Sequence, residues 1–292
     1  MERLVFTVGR GSAKYAEMAL GLGRSLSLVG DQTPRAVLTD VPGYDWGRVF
    51  HRPIVPPNPR SALDKMLALD LTDAERVLAL DGDMLAFGKL DPIFEACAGM
   101  PFAVQGVWRS EGRWRGVEIA ELCRRFGVDR IPKFNGGLVY YERTPETQRL
   151  IGRMREFEKN YGDLGFDLFR GNASEEICIL LAMLDTGIGE LIPEERDFMS
   201  TAVGIVGRLH MDVRRGECWH LAHRDRMRLV RPILFHASLF GNFRIYWRQL
   251  VWLRQLEKRA DRTVPRKTGR WRRLQRSLER RTLWWYRRRL GP

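Results

Sequence analysis

The stretch Arg76-Val77-Leu78-Ala79-Leu80-Asp81-Gly82-Asp83-Met84-Leu85-Ala86-Phe87 decides the fold of this chain. Residues 77–80 form a continuous apolar run of strand length, the mark of a strand buried on both faces. The run ends at two carboxylates separated by one glycine, and apolar character resumes over 84–87. Carboxylates at i and i+2, just after a buried strand, can converge on one cation, and Gly82 permits a tight turn and close approach of a ligand. Hard oxygen ligands suit Mg²⁺ or Mn²⁺, with diphosphate oxygens and water completing the shell. The carboxyl end of a strand is also where ligands sit in open α/β sheets. A metal there offsets the charge of a diphosphate and stabilises it as a leaving group. Asp-Gly-Asp also makes ordinary surface turns, so the flanking sequence has to choose between the two readings.

Outward from this stretch, residues 3–8, 35–39, 101–107 and 137–141 read as further strands. Residues 13–29, 61–71, 145–160 and 174–184 read as helices, with Ser61 as a cap. Asp91-Pro92 opens another helix, with proline in its first turn. Residues 41–59, rich in Pro and Gly, read as a loop. Gly9-Arg10-Gly11-Ser12 is a turn but not a phosphate-binding P-loop, because no GKS or GKT follows. Alternating strands and helices predict an α/β fold with a mixed, mostly parallel sheet and helices on its faces. No internal repeat is visible. No run of about 18 apolar residues is present to span a membrane. The N-terminus lacks the pattern of a signal peptide. The four cysteines are scattered without a CxxC pair, as expected of reduced thiols in a cytosolic protein.

The net charge of +13 is concentrated at one end. Residues 258–292 hold fourteen basic and two acidic residues, a net +12, while the other 257 residues carry 35 basic and 34 acidic groups. The body is nearly neutral, and the charge belongs to an appended binder of anionic surfaces. From Ile245 onward Trp247, Trp252, Trp271, Trp284 and Trp285 are interleaved with arginine, and Val264-Pro265 divides the region into basic amphipathic helices. The sequence therefore divides into a catalytic domain, 1–255, and a basic tail, 256–292. Trp271, Leu274, Leu278 and Trp285 share one helical face, the pattern of an interfacial helix on anionic lipid. This predicts a protein peripheral to the cytoplasmic face of a membrane. A helix docked on the core or on a partner is the alternative. No nucleic-acid motif is present.

Residues 76–94 resemble glycosyltransferase family 8, the glycogenin and bacterial lipopolysaccharide galactosyltransferase group. That family has an apolar strand, an Asp-x-Asp turn, a second short strand, a Gly, then Leu-Asp and a helix. Further pieces follow in the family's order. Phe134-Asn135-Gly136-Gly137-Leu138-Val139 resembles its Asn-(Ala/Ser)-Gly strand start. Ser174-Glu175-Glu176-Ile177 stands at its Asp-Gln helix. Phe235-His236, then Gly241, Arg244 and Trp247, resembles its His-x-x-Gly-x-x-Lys-Pro-Trp ending. Val5-Phe6-Thr7-Val8 and Tyr15 resemble its nucleotide-binding strand and base-stacking aromatic. Here the His-to-Gly spacing is longer, Arg244 replaces Lys, no Pro precedes Trp247, and Glu175-Glu176 replaces Asp-Gln.

The resemblance implies a GT-A, Rossmann-like nucleotide-diphospho-sugar transferase fold. It also implies a metal-dependent, retaining hexosyltransferase using a UDP-sugar donor and a glycan, lipid-linked or lipopolysaccharide-type acceptor. It assigns the metal to Asp81, Asp83 and His236, and an imidazole ligand favours Mn²⁺ over Mg²⁺. It gives Thr7, Val8 and Tyr15 to the nucleotide, and Lys65, Gly82, Gly241 and Arg244 to the donor and its phosphates. Asn135, with Gly136 and Gly137 leaving room, would meet the transferred sugar. Glu175 or Glu176 would stand near the anomeric carbon. Two other classes compete with this reading: a sugar nucleotidyltransferase on a similar fold, and a non-catalytic membrane-surface or nucleic-acid adaptor. Cys218, His220, His223 and Asp225 cluster in sequence, but no second ligand pair at zinc spacing accompanies them.

Overall fold

The computed structural model describes residues 1–57, 59–203, 205–222, 228–238 and 243–263. The chain divides into two compact units, Met1–Leu253 and Arg254–Pro292. Most of the basic tail, 264–292, lies outside the described residues, as do Gly241, His223 and Asp225. Among the described residues no helix is long and apolar enough to cross a membrane.

The strands in chain order are β1 (Arg3–Val8), β2 (Arg35–Leu38), β3 (Arg52–Ile54), β4 (Arg76–Leu80), β5 (Met84–Ala86), β6 (Phe102–Arg109), β7 (Arg113–Trp114), β8 (Val117–Glu118) and β9 (Ile131–Glu142). They continue with β10 (Glu190–Pro193), β11 (Met199–Thr201), β12 (Ile205–Asp212), β13 (Glu217–Ala222), β14 (Arg228–Val230) and β15 (Leu234–His236). The helices are α1 (Ala13–Leu28), α2 (Ala68–Leu71), α3 (Asp91–Cys97), α4 (Ile119–Phe126), α5 (Pro145–Lys159), α6 (Glu175–Thr186) and α7 (Phe243–Thr263).

Seven strands form the central sheet in the order β10-β6-β9-β4-β1-β2-β3. All neighbours run parallel except β9, which is antiparallel to both β4 and β6. The sheet is thus mixed and mostly parallel. Its apolar centre follows from strand alternation. Val77 and Ala79 face one core, filled by α5 and α6 through Leu150, Met154, Ile177 and Leu181. Leu78 and Leu80 face the other, against Leu22 and Leu26 of α1 and Phe94 of α3. A strand covered by helices on both faces has to be apolar at every position, and that is why residues 77–80 carry no polar side chain.

Two small sheets extend this core. In one, β15 pairs antiparallel with β5 and parallel with β11, setting His236 opposite Met84. In the other, β12, β13 and β14 form an antiparallel meander. Tyr246, Leu250 and Leu253 of α7 pack into a core with Met18, Leu85, Met211 and Phe235. Buried Gln249 receives the Val213 N–H at 3.0 Å and donates to the Met211 carbonyl at 2.9 Å, which locks α7 to β12. The aromatic-basic region that begins at Ile245 in sequence is therefore, as far as Leu253, core of the first unit.

Three local expectations are corrected. Residues 61–71 form a 3₁₀ turn, Asp64–Leu67, and only then α2. Ser61 caps no helix; its hydroxyl donates to the Glu158 carboxylate at 2.7 Å and accepts the Leu63 N–H at 2.9 Å. The loop at 41–59 contains a 3₁₀ turn, Trp46–Arg48, and the edge strand β3.

The β6–β9 pairing slips at one place. Val104 stands opposite Val139 and Gly106 opposite Phe134, so residues 135–138 face Gln105 alone. This bulge turns Asn135-Gly136 out of the ladder beside the end of β4. It requires a glycine at 106: a Cβ there would lie 2.3 Å from the Lys133 carbonyl oxygen and 2.8 Å from the Phe134 Cα. Because both obstacles are backbone, Gly106→Ala is expected to destabilise the protein by about 1–3 kcal/mol in urea unfolding. Gly152→Ala on α5, where an added Cβ meets nothing within 4 Å, is expected to be neutral or to stabilise by up to about 1 kcal/mol. Equal effects at the two sites would contradict the role given to Gly106.

Candidate active site

The carboxyl ends of β1 and β4 open into a cavity of about 1090 Å³. Its wall takes Val8 and Tyr15 from the β1–α1 region, Asp81-Gly82-Asp83 from the end of β4, and Asn135-Gly136 from the bulge. The start of α6 adds Ser174, Glu175 and Glu176, and β15 adds His236.

The Asp81–Asp83 turn is held by backbone. The Asp81 N–H donates to the Gly137 carbonyl at 2.9 Å, and the Ala237 N–H to the Asp83 carbonyl at 3.0 Å. A Cβ at Gly82 would stand 3.0 Å from the Val8 carbonyl oxygen and 3.4 Å from the Ala19 nitrogen. Glycine there serves close packing on β1 and α1 at the wall of the cavity.

Ligand-type atoms of Asp81, Asp83 and His236 all lie within 4.8 Å of one another. His236 Nε2 is 3.0 Å from Asp83 Oδ1 and 3.3 Å from Asp81 Oδ2. On the other side of the ring, Nδ1 is 2.8 Å from Asn135 Oδ1, which also accepts the Gly137 N–H at 2.9 Å. An oxygen that receives an amide N–H is fixed as an acceptor, so Nδ1 is the donor. That tautomer leaves the Nε2 lone pair facing two carboxylates, an arrangement that needs a proton or a cation between them. The donor set of two carboxylates and one imidazole therefore fits a divalent cation. Burial alone would lower the His236 pKa, but the charge and hydrogen bond of Asp83, and then Asp81, raise it above its ordinary value. Burial works in the opposite sense on Asp83, and the charge and hydrogen bond of His236, with a backbone hydrogen bond and Lys65, together hold that carboxyl low.

Lys65 lies beneath the turn. Its buried ammonium is 2.6 Å from Asp81 Oδ1, 2.5 Å from the Gly136 carbonyl and 3.0 Å from Glu175 Oε1. Burial would lower its pKa, but Asp81 and Glu175 together raise it well above the usual lysine range. Burial pushes the Glu175 carboxyl up, against the pull of Lys65. Glu176 has different partners: it accepts the Gly136 N–H at 3.2 Å, and its second oxygen is 3.4 Å from Arg115.

Not every residue expected at the site is found there. Thr7 is fully buried and its hydroxyl donates to the Leu80 carbonyl at 2.8 Å, so it bonds the sheet and cannot reach a nucleotide. Gly137 does not make room for a sugar. A Cβ there would lie 2.6 Å from Met84 Cε and 2.7 Å from His236 Nδ1, so its missing side chain is space taken by the histidine. Arg244 is exposed at the start of α7 and is not among the described residues that line the cavity. Cys218 is buried, and burial pushes its thiol well above its usual range. His220, also buried, lines the cavity.

Several cavity residues escaped the sequence reading. Arg10 is 5% exposed and pairs with Asp64 at 2.7 Å and Asp40 at 3.4 Å. Arg60 lies over the Tyr15 ring at 5.2 Å, and Arg115 reaches Glu176. The signal for Arg10 was its position in the turn at the carboxyl end of β1.

Removing Lys65 would leave the partly buried carboxylates of Asp81 and Glu175 without their shared counter-charge. Lys65→Met is expected to cost about 3 kcal/mol or more in unfolding free energy. Glu175→Gln in the same chain should recover part of that loss in a double-mutant cycle. Strictly additive effects would contradict the shared ion pair.

No family model and no curated protein matches the sequence. Solved structures do. The apo form of the glycosyltransferase GlyE of Streptococcus pneumoniae TIGR4 matches with 15% identity and a TM-score of 0.47. The match takes in 68% of this chain and 47% of that one, so this chain spans about half the length of GlyE. The galactosyltransferase LgtC, solved in complex with donor and acceptor sugar analogs, matches over 85% of this chain and 95% of its own, with 16% identity and a TM-score of 0.51. An active-site mutant of LgtC matches over 80% and 86%, with a TM-score of 0.49. With its mixed sheet, single antiparallel strand and cavity at the ends of β1 and β4, the chain has the GT-A fold of LgtC.

Proposed function

We propose that the protein transfers a hexose from a UDP-sugar to a hydroxyl of a glycan, lipid-linked or lipopolysaccharide-type acceptor. The reading rests on one observation: Asp81, Asp83 and His236 bring three ligand-type atoms together on the floor of a cavity large enough for a nucleotide sugar. Their donor set favours Mn²⁺. When bound, the cation would neutralise the diphosphate and make it a better leaving group.

The chain's own residues would do the rest. In the reaction the bond from the anomeric carbon to the diphosphate oxygen breaks, and the acceptor oxygen forms the new bond as its proton passes to the departing diphosphate. Asn135 orients His236 through Nδ1 and so aims Nε2. Lys65 holds Asp81 in place and ties it to the bulge and to Glu175. Glu176 fixes the Gly136 N–H beside the position of the transferred sugar. Val8 and Tyr15 line the end of the cavity where a base would lie. The basic, Trp-rich sequence of 256–292 supports an enzyme held against an anionic membrane surface.

Isothermal titration of UDP into the full chain, with Mn²⁺ and with EDTA, tests this reading. The expected outcome is binding that requires the metal and weakens at least about 100-fold in Asp81→Asn/Asp83→Asn, since both carboxylate ligands are lost. With UDP-sugar and acceptor, free UDP should be released, not pyrophosphate. Metal-independent binding, or equal binding by the double variant, would contradict the proposal.

A further inference from the structure

In the small sheet that carries His236, β15 lies between β5 and β11. The far side of the imidazole from the Asp81–Asp83 turn is therefore the side of β11, where Thr201 stands opposite His236. Ser200 and Thr201 of β11 line the cavity there, and so do His220 of β13 and Arg228 and Val230 of β14. The chain just before β11 is tied to β14 by Asp197, whose two carboxylate oxygens each accept from the Arg228 guanidinium at 2.6 Å.

His220 is the unusual group on this wall. Alternate residues of a strand point the same way, so it shares a face of β13 with Cys218, which is packed in the apolar core with Tyr246 and Leu250 of α7. His220 itself is 4% exposed and borders the cavity. Burial keeps its pKa below the ordinary histidine value, against the opposing pulls of the Leu221 backbone and Asp197, so the ring is neutral. Neither ring nitrogen meets a hydrogen-bond partner in normal geometry among the described residues. A buried polar group left without a partner costs free energy that an apolar side chain would not. A neutral imidazole offers one donor and one acceptor, and a hydroxyl group matches both.

The surroundings suit an uncharged ligand. Arg228 is matched by Asp197, and Glu194 and Glu195 line the cavity as well, so the wall holds no surplus of positive charge. Asp197 is also fixed through its backbone: its N–H donates to the Glu194 carbonyl at 3.0 Å, and its carbonyl accepts the Ile233 N–H at 3.2 Å. A carboxylate has about four acceptor sites, and a paired guanidinium leaves the rest open to hydroxyl donors. On the nucleotide-sugar reading, the base, the diphosphate and the transferred sugar occupy the walls at Tyr15, at Asp81–Asp83 and at Gly136. The wall at β11, β13 and β14 is left for the second substrate.

We propose, on the sugar-transfer reading above, that this wall is the acceptor subsite, where His220 hydrogen-bonds a hydroxyl of an uncharged sugar unit and Asp197 accepts from a neighbouring hydroxyl. His220 is thus a specificity-determining residue for the acceptor. The Arg228 pair holds the Asp197 carboxylate in the plane that the two hydroxyls meet.

The test exposes an array of neutral and anionic glycans to the labelled full chain in saturating Mn²⁺ and UDP, beside His220→Leu and His220→Gln. UDP binding is measured on the same samples. The expected result is binding to neutral glycans that falls about fivefold to tenfold in His220→Leu, the loss of about one hydrogen bond. His220→Gln, which keeps a donor and an acceptor, should lose less. The melting temperature of His220→Leu is expected to be unchanged or raised, because the substitution removes a buried polar group without a protein partner. Neutral-glycan binding that depends on His220 while UDP fails to bind would uphold this subsite and overturn the UDP reading. UDP binding with no neutral glycan bound, or equal glycan binding by His220→Leu, would overturn the subsite. A melting temperature lowered in both variants would give His220 a structural role and overturn it too.

Discussion

The buried ammonium of Lys65 is the contact on which the rest of the site depends. It joins four pieces of chain distant in sequence: the 3₁₀ turn at Asp64–Leu67, the end of β4 at Asp81, the bulge of β9 at Gly136 and the start of α6 at Glu175. A lysine with almost no solvent contact is tolerated only when its charge is met by opposite charge and its N–H groups by acceptors. Two carboxylates and a carbonyl satisfy that demand here. In return the ammonium lets two acids approach each other beneath a cavity that gathers still more acids. Without it Asp81 would repel Glu175 and the end of β4 would lose its alignment with α6.

A second constraint acts across the sheet boundary. β5 continues past the Asp81–Asp83 turn and pairs with β15, so the residue opposite Met84 is His236. Backbone register, rather than side-chain choice, delivers the imidazole to the two carboxylates. The bulge of β9 then supplies Asn135, whose oxygen sets the tautomer, and Gly137, whose missing side chain leaves space for the ring. Asp81 and Asp83 thus come from the turn between β4 and β5, His236 comes from β15, which pairs with β5, and the imidazole is oriented from a third strand, β9. The arrangement couples the fold of the central sheet directly to the chemistry at its edge.

Much of this was legible in the sequence. The apolar run at 77–80 announced a strand covered on both faces, and strand-helix alternation announced the parallel sheet. Asp81, Asp83 and His236 were grouped by resemblance, and they meet in space. Other features could not be read because they depend on pairing between distant segments. Strands β10, β11 and β14 are three or four residues long and exist only through their neighbours. The helical pattern of 61–71 gave way to a 3₁₀ turn where Lys65 reaches under Asp81. Thr7 sits at the end of a strand in a plausible place for a nucleotide contact, yet its hydroxyl is bonded to the adjacent strand at Leu80. Arg115, Arg170 and Lys133 are ordinary basic residues in sequence, and only the fold brings them to one cavity.

The central claim is that Asp81, Asp83 and His236 hold one divalent cation, with Asn135 aiming the imidazole. Pulsed electron paramagnetic resonance of the full chain with stoichiometric Mn²⁺ tests this directly, because a bound imidazole nitrogen couples to the electron spin. The account predicts coupling to a single histidine nitrogen, absent in His236→Gln, with Mn²⁺ affinity about 10–100-fold weaker in Asn135→Ala. Mn²⁺ bound without nitrogen coupling, or coupling that survives His236→Gln, would contradict it.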